Sequence, residues 1–123
     1  MATSYTEAKT IGDVVKYEAP LGYSREKVTI TSGQNLQIGD ILETATGKKI
    51  ILATPANADS IMLEDTGGAL GGDAEHWVLA RHSMYDDGQV DYNSQTKATT
   101  DAALKALGII PRPTPVETST QST

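Results

Sequence analysis

The chain contains no cysteine and no phenylalanine, and it has one tryptophan among its 123 residues. The lack of cysteine excludes a disulfide framework, a thiolate zinc site and a cysteine nucleophile, and it fits folding in a reducing cytoplasm. Most apolar residues are alanine, isoleucine, leucine and valine. One small domain with such a core has modest stability, so association with further copies would be a natural way to bury more surface.

Basic residues are also in short supply. The chain has 10 lysines and arginines against 16 aspartates and glutamates, which gives a net charge of −6 and a pI near 4.7. Binding of nucleic acid requires lysine and arginine to replace counterions, and anionic membranes attract the same residues. No apolar run is long enough to cross a bilayer, and residues 1–7 lack the basic and apolar regions of a signal peptide. We therefore expect neither nucleic acid nor a membrane as partner.

The first 22 residues are predicted to form an extended N-terminal arm. They are polar and end at the turn-type sequence Ala19–Gly22. Within them, Val14, Val15 and Tyr17 suit a pleated surface, although the segment brings little core of its own. Such an arm can add a strand to another sheet edge, or it can be a disordered chain end. At the other terminus, residues 112–123 are rich in proline, threonine and serine and predict a disordered tail or a polyproline-like spacer.

Residues 23–111 are predicted to form one small, β-rich α+β domain of short strands and hairpins. Val28 and Ile30 alternate with polar residues, which indicates a strand. Ile41 and Leu42 begin another, and a turn at 46–48 leads into a third strand at 49–52. Further strands are predicted at 61–63 and 75–81, and the four glycines of 66–73 indicate a loop.

One helix is predicted near the end of this domain, at about residues 94–107. Asn93 or Ser94 is its candidate N-cap, and Gly108 suits a left-handed ending, with Pro111 preventing continuation. The expected buried stripe consists of small and aliphatic residues at helical spacing. These residues are Ala98, Ala102, Ala103, Leu104, Ala106 and Leu107.

Residues that could carry chemistry are few. Lys48 and Lys49 lie at a hairpin turn, where lipoyl and biotinyl carriers present a lysine, but a charged turn that keeps a sheet edge soluble is far commoner. His76 and His82 would share one face of a strand, yet no third metal ligand falls on that face at short spacing. The glycine pairs within 66–73 match neither a phosphate-binding loop nor a dinucleotide fingerprint. We therefore expect no catalysis, metal or cofactor. The alternative hypothesis is a carrier or small-ligand module. A third hypothesis is a hydrolase or metal enzyme that uses the two histidines.

Three stretches, in this order and spacing, resemble the phage head decoration proteins of the lambda head protein D type. The first runs from Ser24 through Gly33-Gln34-Asn35-Leu36 to Gly39-Asp40-Ile41-Leu42. The second is the strand at 74–82, which ends in Arg-His, and the third is the helix ending at 103–110. The resemblance covers about residues 23–112, and the threonine- and serine-rich tail goes beyond the family pattern.

This resemblance implies a homotrimer on the outer surface of the phage head, made in the host cytoplasm. Trimers of the family bind the expanded shell at local three-fold positions and cement it against the pressure of packaged DNA. Their N-terminal arm orders on the capsid and adds to a sheet of the major capsid protein. By position, the corresponding segment here lies at about 10–21, and its candidate capsid-binding residues are Thr10, Ile11, Val14, Val15, Tyr17 and Leu21. This interpretation predicts that deletion of residues 2–20 leaves a folded trimer that no longer binds expanded heads.

Overall fold

The computed structural model describes residues 10–113, except for the side chain of Leu21. Eight short strands form a closed five-stranded barrel and a separate three-stranded sheet, and two helices accompany them. The strands are β1 (Val15–Glu18), β2 (Arg25–Ile30), β3 (Ile41–Ala45), β4 (Lys48–Ile51), β5 (Ala58–Met62), β6 (Ala74–Leu79), β7 (Ser83–Asp86) and β8 (Ile109–Arg112); the helices are α1 (Ile11–Val14) and α2 (Lys97–Lys105), and short 3₁₀ turns occur at Pro20–Gly22 and Pro55–Asn57.

The barrel has the strand order β2-β4-β3-β5-β6 and closes through antiparallel pairing of β2 with β6. The predicted hairpin is confirmed as β3–β4. Its turn residues Thr46 and Gly47 have φ angles of 50° and 80°, because two positive φ values give a two-residue turn the twist that its flanking strands require. The barrel itself was not predicted, since its closing pair joins segments about 50 residues apart.

Two hydrophobic clusters share the barrel strands. Neighbouring residues such as Ile61 and Met62, or Leu79 and Val78, belong to different clusters, because successive side chains of a strand point to opposite faces. One cluster lies within the barrel. The other packs the outer face of the barrel against α1, α2 and the second sheet. Covering both faces of the strands increases the apolar surface removed from water, which compensates for the small side chains of the core.

The second sheet has the order β1-β7-β8, with β1 antiparallel and β8 parallel to β7. Neither β7 nor β8 was predicted. Each has four residues, too few for a clear alternation, and β8 contains Pro111. Proline is tolerated there because β8 is an edge strand, where a missing N–H leaves no ladder bond unmade. The predicted boundary between domain and tail thus falls within β8.

Helix α2 is shorter than predicted. The proposed caps were wrong: its N-cap is Thr96, whereas Asn93 and Ser94 have left-handed φ angles of 51° and 63°. The predicted stripe was also mostly wrong, since among its members only Ala103 and Leu104 are shielded from solvent. Alanine favours a helix on any face, so its spacing did not reveal which face is buried.

The buried face of α2 instead contains a polar residue, Thr100, whose hydroxyl donates to the Thr96 carbonyl oxygen at 2.8 Å. The left-handed conformation of Gly108 is confirmed, but α2 ends at Lys105 with Ala106 as its C-cap, so Gly108 lies one residue beyond the expected position. Gly108 has a φ of 81°, and its N–H donates to the Lys105 carbonyl oxygen at 2.9 Å. No helix within residues 10–113 has the length and apolar character needed to cross a bilayer.

Candidate functional site

Strand β1 leaves one edge of the three-stranded sheet open. On one side it pairs with β7, through Val15 opposite Tyr85 and Tyr17 opposite Met84, with an irregularity between the two pairs. Within residues 10–113 no strand pairs with its other side. An open edge presents backbone donors and acceptors to which a strand of another chain can be added.

The residues expected to form an unpaired arm are partly folded onto the domain. Val14 is fully buried in the larger core, and Ile11 and Val15 pack against that core. Val14 lies in the helical turn α1 and Val15 begins β1, so this part of the chain differs from an extended ribbon. Local propensity at these residues gave no indication of the apolar surface, about 60–70 residues further along the chain, that buries them.

The remaining candidate residues differ in accessibility. Tyr17 is 55% exposed, and Thr10, at the N-terminus of α1, is also exposed. The side chain of Leu21 and all of residues 1–9 lie outside the described part of the chain. Among the described candidates, then, Thr10 and Tyr17 are the ones a partner can reach without displacement of α1.

A buried serine fixes the end of β1. The Ser24 hydroxyl accepts from the Ala19 N–H and donates to the His82 carbonyl oxygen, both at 2.8 Å. Next to it, the Arg25 guanidinium makes a two-pronged contact with the Glu18 carboxylate at 2.6 and 2.9 Å. These contacts hold β1 in register beside β7. Sequence reasoning missed Ser24 because its partner at His82 is 58 residues away.

An apolar groove of about 410 Å³ lies on the face of this sheet that points away from the barrel. Tyr17, Met84 and Ile110 form a row across its three strands. At one end the rings of Tyr23 and His82 stack with their centroids 5.3 Å apart. The complete lining is Tyr17, Ala19, Tyr23, His82, Ser83, Met84, Gly108 and Ile110. A contiguous exposed apolar surface of this kind is typical of a contact with another protein.

The start of β1 and the end of β8 lie at the same end of the three-stranded sheet. Because β1 is antiparallel to β7 and β8 is parallel to it, the start of β1 lies beside the end of β8. Lys16 of β1 and Arg112 of β8 line one small cavity there, together with Asp86 and Pro113.

The two lysines of the carrier alternative both engage acidic partners. The Lys48 ammonium lies 2.6 Å from the Asp73 carboxylate, and the Lys49 ammonium lies 3.0 Å from that of Asp59. The Lys48 ammonium holds the pKa of the Asp73 carboxyl below its ordinary value. A carrier lysine projects freely from its turn, so these ion pairs do not favour that reading.

The two histidines do not share a strand face. Strand β6 ends at Leu79, and His82 follows with a left-handed φ of 45°. His76 instead contacts the Glu64 carboxylate at 2.8 Å. Within residues 10–113 no three histidine, cysteine, aspartate or glutamate side chains are grouped to hold a metal ion.

The predicted glycine loop is confirmed as irregular, and its polar groups bond within the domain. The Gly33 N–H donates to the Leu70 carbonyl oxygen at 2.8 Å, and the Ser32 N–H donates to the Asp73 carboxylate at 2.9 Å. These bonds tie the loop to the end of β2. Gly67 and Gly68 have φ angles of 75° and 135°, so glycine serves here to turn the backbone.

Comparison with known proteins agrees with the resemblance found in the sequence. The family model described as bacteriophage lambda head decoration protein D matches residues 4–111 of the 123-residue chain. Searches of curated proteins and of solved structures find no significant match. The matched residues include the whole barrel, the three-stranded sheet as far as Pro111 and part of the N-terminal segment. The chain belongs to the bacteriophage lambda head decoration protein D family, a structural rather than an enzymatic family, which implies a capsid decoration role in the virion.

Proposed function

We propose that this protein is a non-enzymatic cement that binds the outer surface of the expanded phage head as a homotrimer at local three-fold sites. Family membership supplies the capsid role. The observation that carries the finer proposal is the open edge of β1, which lies directly after the N-terminal segment. A free strand edge at the root of a polar chain end is suited to pairing with a strand of the major capsid protein.

The burial of Val14 alters where this pairing takes place. Because Val14 belongs to the core, the contact is assigned to residues before Ile11 and to the open edge of β1. The strand β1 then acts as a fixed support from which the N-terminal segment reaches the shell. Fixing the root of the segment reduces the conformational entropy that the segment loses on binding.

The trimer is supported by the apolar groove. Among the described residues four large hydrophobic side chains are exposed: Tyr17, Tyr23, Trp77 and Leu107. Two of these line the groove, and Leu107 directly precedes Gly108, which also lines it. A second copy placed against this face would bury surface that the small domain leaves in water.

Trivalency would give the whole trimer tight binding even though each individual contact is weak. Once one N-terminal segment has docked, the other two bind at high effective concentration, which can raise overall avidity by about 10² to 10⁴ over a single contact. A ligand that bridges assembled capsid subunits, and does not bind separated ones, stabilises the assembled state by mass action. The acidic net charge of −6 suits the shell exterior rather than the DNA-lined interior.

Deletion of residues 2–9 tests the arm mechanism. We expect this variant to fold and form trimers, because α1 and β1 remain, but to lose co-sedimentation with expanded heads. Deletion of residues 2–20 does not test the arm alone, because it also removes Val14 and β1 and should destabilise the domain. Native mass spectrometry reports the oligomeric state of each variant.

Deletion of residues 116–123 is the matched control, since it also removes eight residues from a chain end. We expect this variant to bind expanded heads as the full chain does. Undiminished head binding by the variant without residues 2–9 would refute the arm mechanism. A full-length chain that stays monomeric at all concentrations and ignores expanded heads would overturn the proposed function itself.

A further inference from the structure

We propose that Lys16 and Arg112 form a basic docking site for a carboxylate-bearing segment of the capsid protein, at the end of the three-stranded sheet where β1 begins and β8 ends. This inference rests on the proposed function and adds the chemistry of the partner. It locates a second contact on the domain, separate from the backbone pairing along β1.

The ion-pairing pattern distinguishes these two residues from most other basic side chains of the described chain. Five basic side chains are already paired with carboxylates: Arg25, Lys48, Lys49, Arg81 and Lys97. Neither Lys16 nor Arg112 has an ion pair within residues 10–113, and both side chains are exposed. Lys27 and Lys105 also lack an ion pair in that range, but they lie on β2 and α2 rather than at this end of the sheet.

The geometry brings the two free cations together. Lys16 lies on β1 and Arg112 on β8, the strands on either side of β7, and both line a cavity of about 100 Å³ with Pro113. The Lys16 ammonium donates one hydrogen bond to the Gly12 carbonyl oxygen at 3.0 Å, which leaves its other N–H groups available. Arg112 adds a planar guanidinium, which binds a carboxylate through two parallel hydrogen bonds.

Of three acidic residues nearby, Asp86 and Asp87 are largely shielded from solvent, whereas Asp13 is exposed. Asp86 also lines the cavity, but it is 4% exposed and accepts a hydrogen bond from the Gly88 N–H. Asp87 pairs with Lys97 at 2.9 Å, and Asp13 accepts from the Thr10 N–H. Two exposed cations on a chain of net charge −6 would attract an acidic segment to this end, while the remaining surface repels it. Such complementarity orients a partner as well as adding affinity.

A pair of charge-matched double variants tests the proposal. Lys16→Gln with Arg112→Gln removes two positive charges at the proposed site. Lys27→Gln with Lys105→Gln removes two unpaired positive charges elsewhere. We expect the first variant to bind expanded heads roughly tenfold more weakly, with a shallower dependence of binding on salt concentration. The control variant should bind within about threefold of the unmodified protein, because its charges lie outside the contact.

Cross-linking identifies the partner group directly. A carbodiimide reagent joins an amine to a carboxylate with no spacer, so Lys16 should become linked to an aspartate or glutamate of the capsid protein on decorated heads. The Lys16→Arg variant keeps the charge and should retain binding while losing this cross-link.

The two possible failures can be told apart. If the unmodified protein binds heads but the Lys16/Arg112 variant binds equally well with the same salt dependence, the basic site is refuted and the decoration function stands. If the unmodified protein does not bind heads at all, the proposed function fails first. Thermal unfolding of each variant establishes that a loss of binding is not a loss of fold.

Discussion

Gly108 connects α2 to β8 at a close approach to the backbone of His82. Its φ of 81° lies in the left-handed region, and a Cβ atom placed on it would lie 3.3 Å from the backbone nitrogen of His82. Its carbonyl oxygen accepts from the Ser83 N–H at 3.0 Å. Conformational freedom and close packing therefore both require glycine here, where the helix turns back to place β8 beside β7.

We predict that Gly108→Ala lowers the free energy of unfolding by about 1–3 kcal/mol, because alanine strains the left-handed backbone and crowds His82. Gly71→Ala is the matched control, since a Cβ at Gly71 meets nothing within 4 Å and its φ is not positive. Urea unfolding followed by tryptophan fluorescence measures both variants. Equal stability of Gly108→Ala and Gly71→Ala would show that the strain argument is wrong.

Single residues were predictable from the sequence where their cause is local. Gly108 follows a helix-forming run and precedes Ile-Ile-Pro, so its left-handed role is visible in the neighbouring residues. Ser24 and Glu43 gave no such signal. The buried Glu43 carboxylate accepts from the N–H groups of Ala53 and Thr54 at 2.7 Å, a strand-end contact that only the folded backbone creates.

At the scale of elements, α2 is joined to the rest of the domain by a cluster of polar side chains. The Asp101 carboxylate accepts from the hydroxyls of Tyr85 and Tyr92 at 2.5 and 2.6 Å. It also lies 2.9 Å from the Lys97 ammonium, one turn earlier on the helix. Tyr85 belongs to β7, so this carboxylate connects α2 to the sheet that bears the open edge.

We predict that Asp101→Ala lowers the free energy of unfolding by about 2–4 kcal/mol, because it leaves two partly buried tyrosine hydroxyls without their acceptor. Glu26→Ala removes a more exposed carboxylate, which pairs with Arg81, and should cost no more than about 1 kcal/mol. Chemical denaturation compares the two. Destabilisation of equal size in both variants would contradict a special role for the Asp101 cluster.

Elements were predictable in proportion to their length and to the sharpness of their turns. The β3–β4 hairpin has a Thr-Gly turn between two strands that contain isoleucine, and the six-residue strands β2 and β6 alternate for long enough to be recognised. Strands β1, β7 and β8 have four residues each, and their pairing decides their structure more than their composition does. For the same reason, the residues of β1 were expected to belong to a free arm.

At the scale of the whole molecule, the sheet β1-β7-β8 separates two surfaces. The groove lies on its outer face, and β1 begins and β8 ends at one of its ends. A subunit contact on the face and a capsid contact at the end would therefore not compete for the same residues. The family could be recognised from three stretches of sequence, but this separation could not, because it depends on two strands that the sequence did not reveal.

Stability at high pH tests the packing of the whole domain through two tyrosines. Burial raises the pKa of Tyr85 and of Tyr92 above the ordinary value of 10.0, and the hydrogen bonds to Asp101 raise both further. Their hydroxyls are neutral in the folded protein at a pH where they ionise in the unfolded chain. The stabilisation they provide is thus complete below about pH 10 and is lost as the pH rises further, because proton release then favours the unfolded state.

We therefore predict that the free energy of unfolding falls steeply above pH 10, and that two of the five tyrosines ionise only as the domain unfolds. Near-ultraviolet absorbance counts tyrosinate, and near-ultraviolet circular dichroism follows tertiary structure in the same titration. The two signals should change together for Tyr85 and Tyr92, and Tyr92→Phe should reduce the unfolding-linked absorbance change by about half. If all five tyrosines ionise while tertiary structure persists, α2 does not shield this cluster from solvent. The conclusion that Asp101 anchors α2 to the sheet would then be wrong as well.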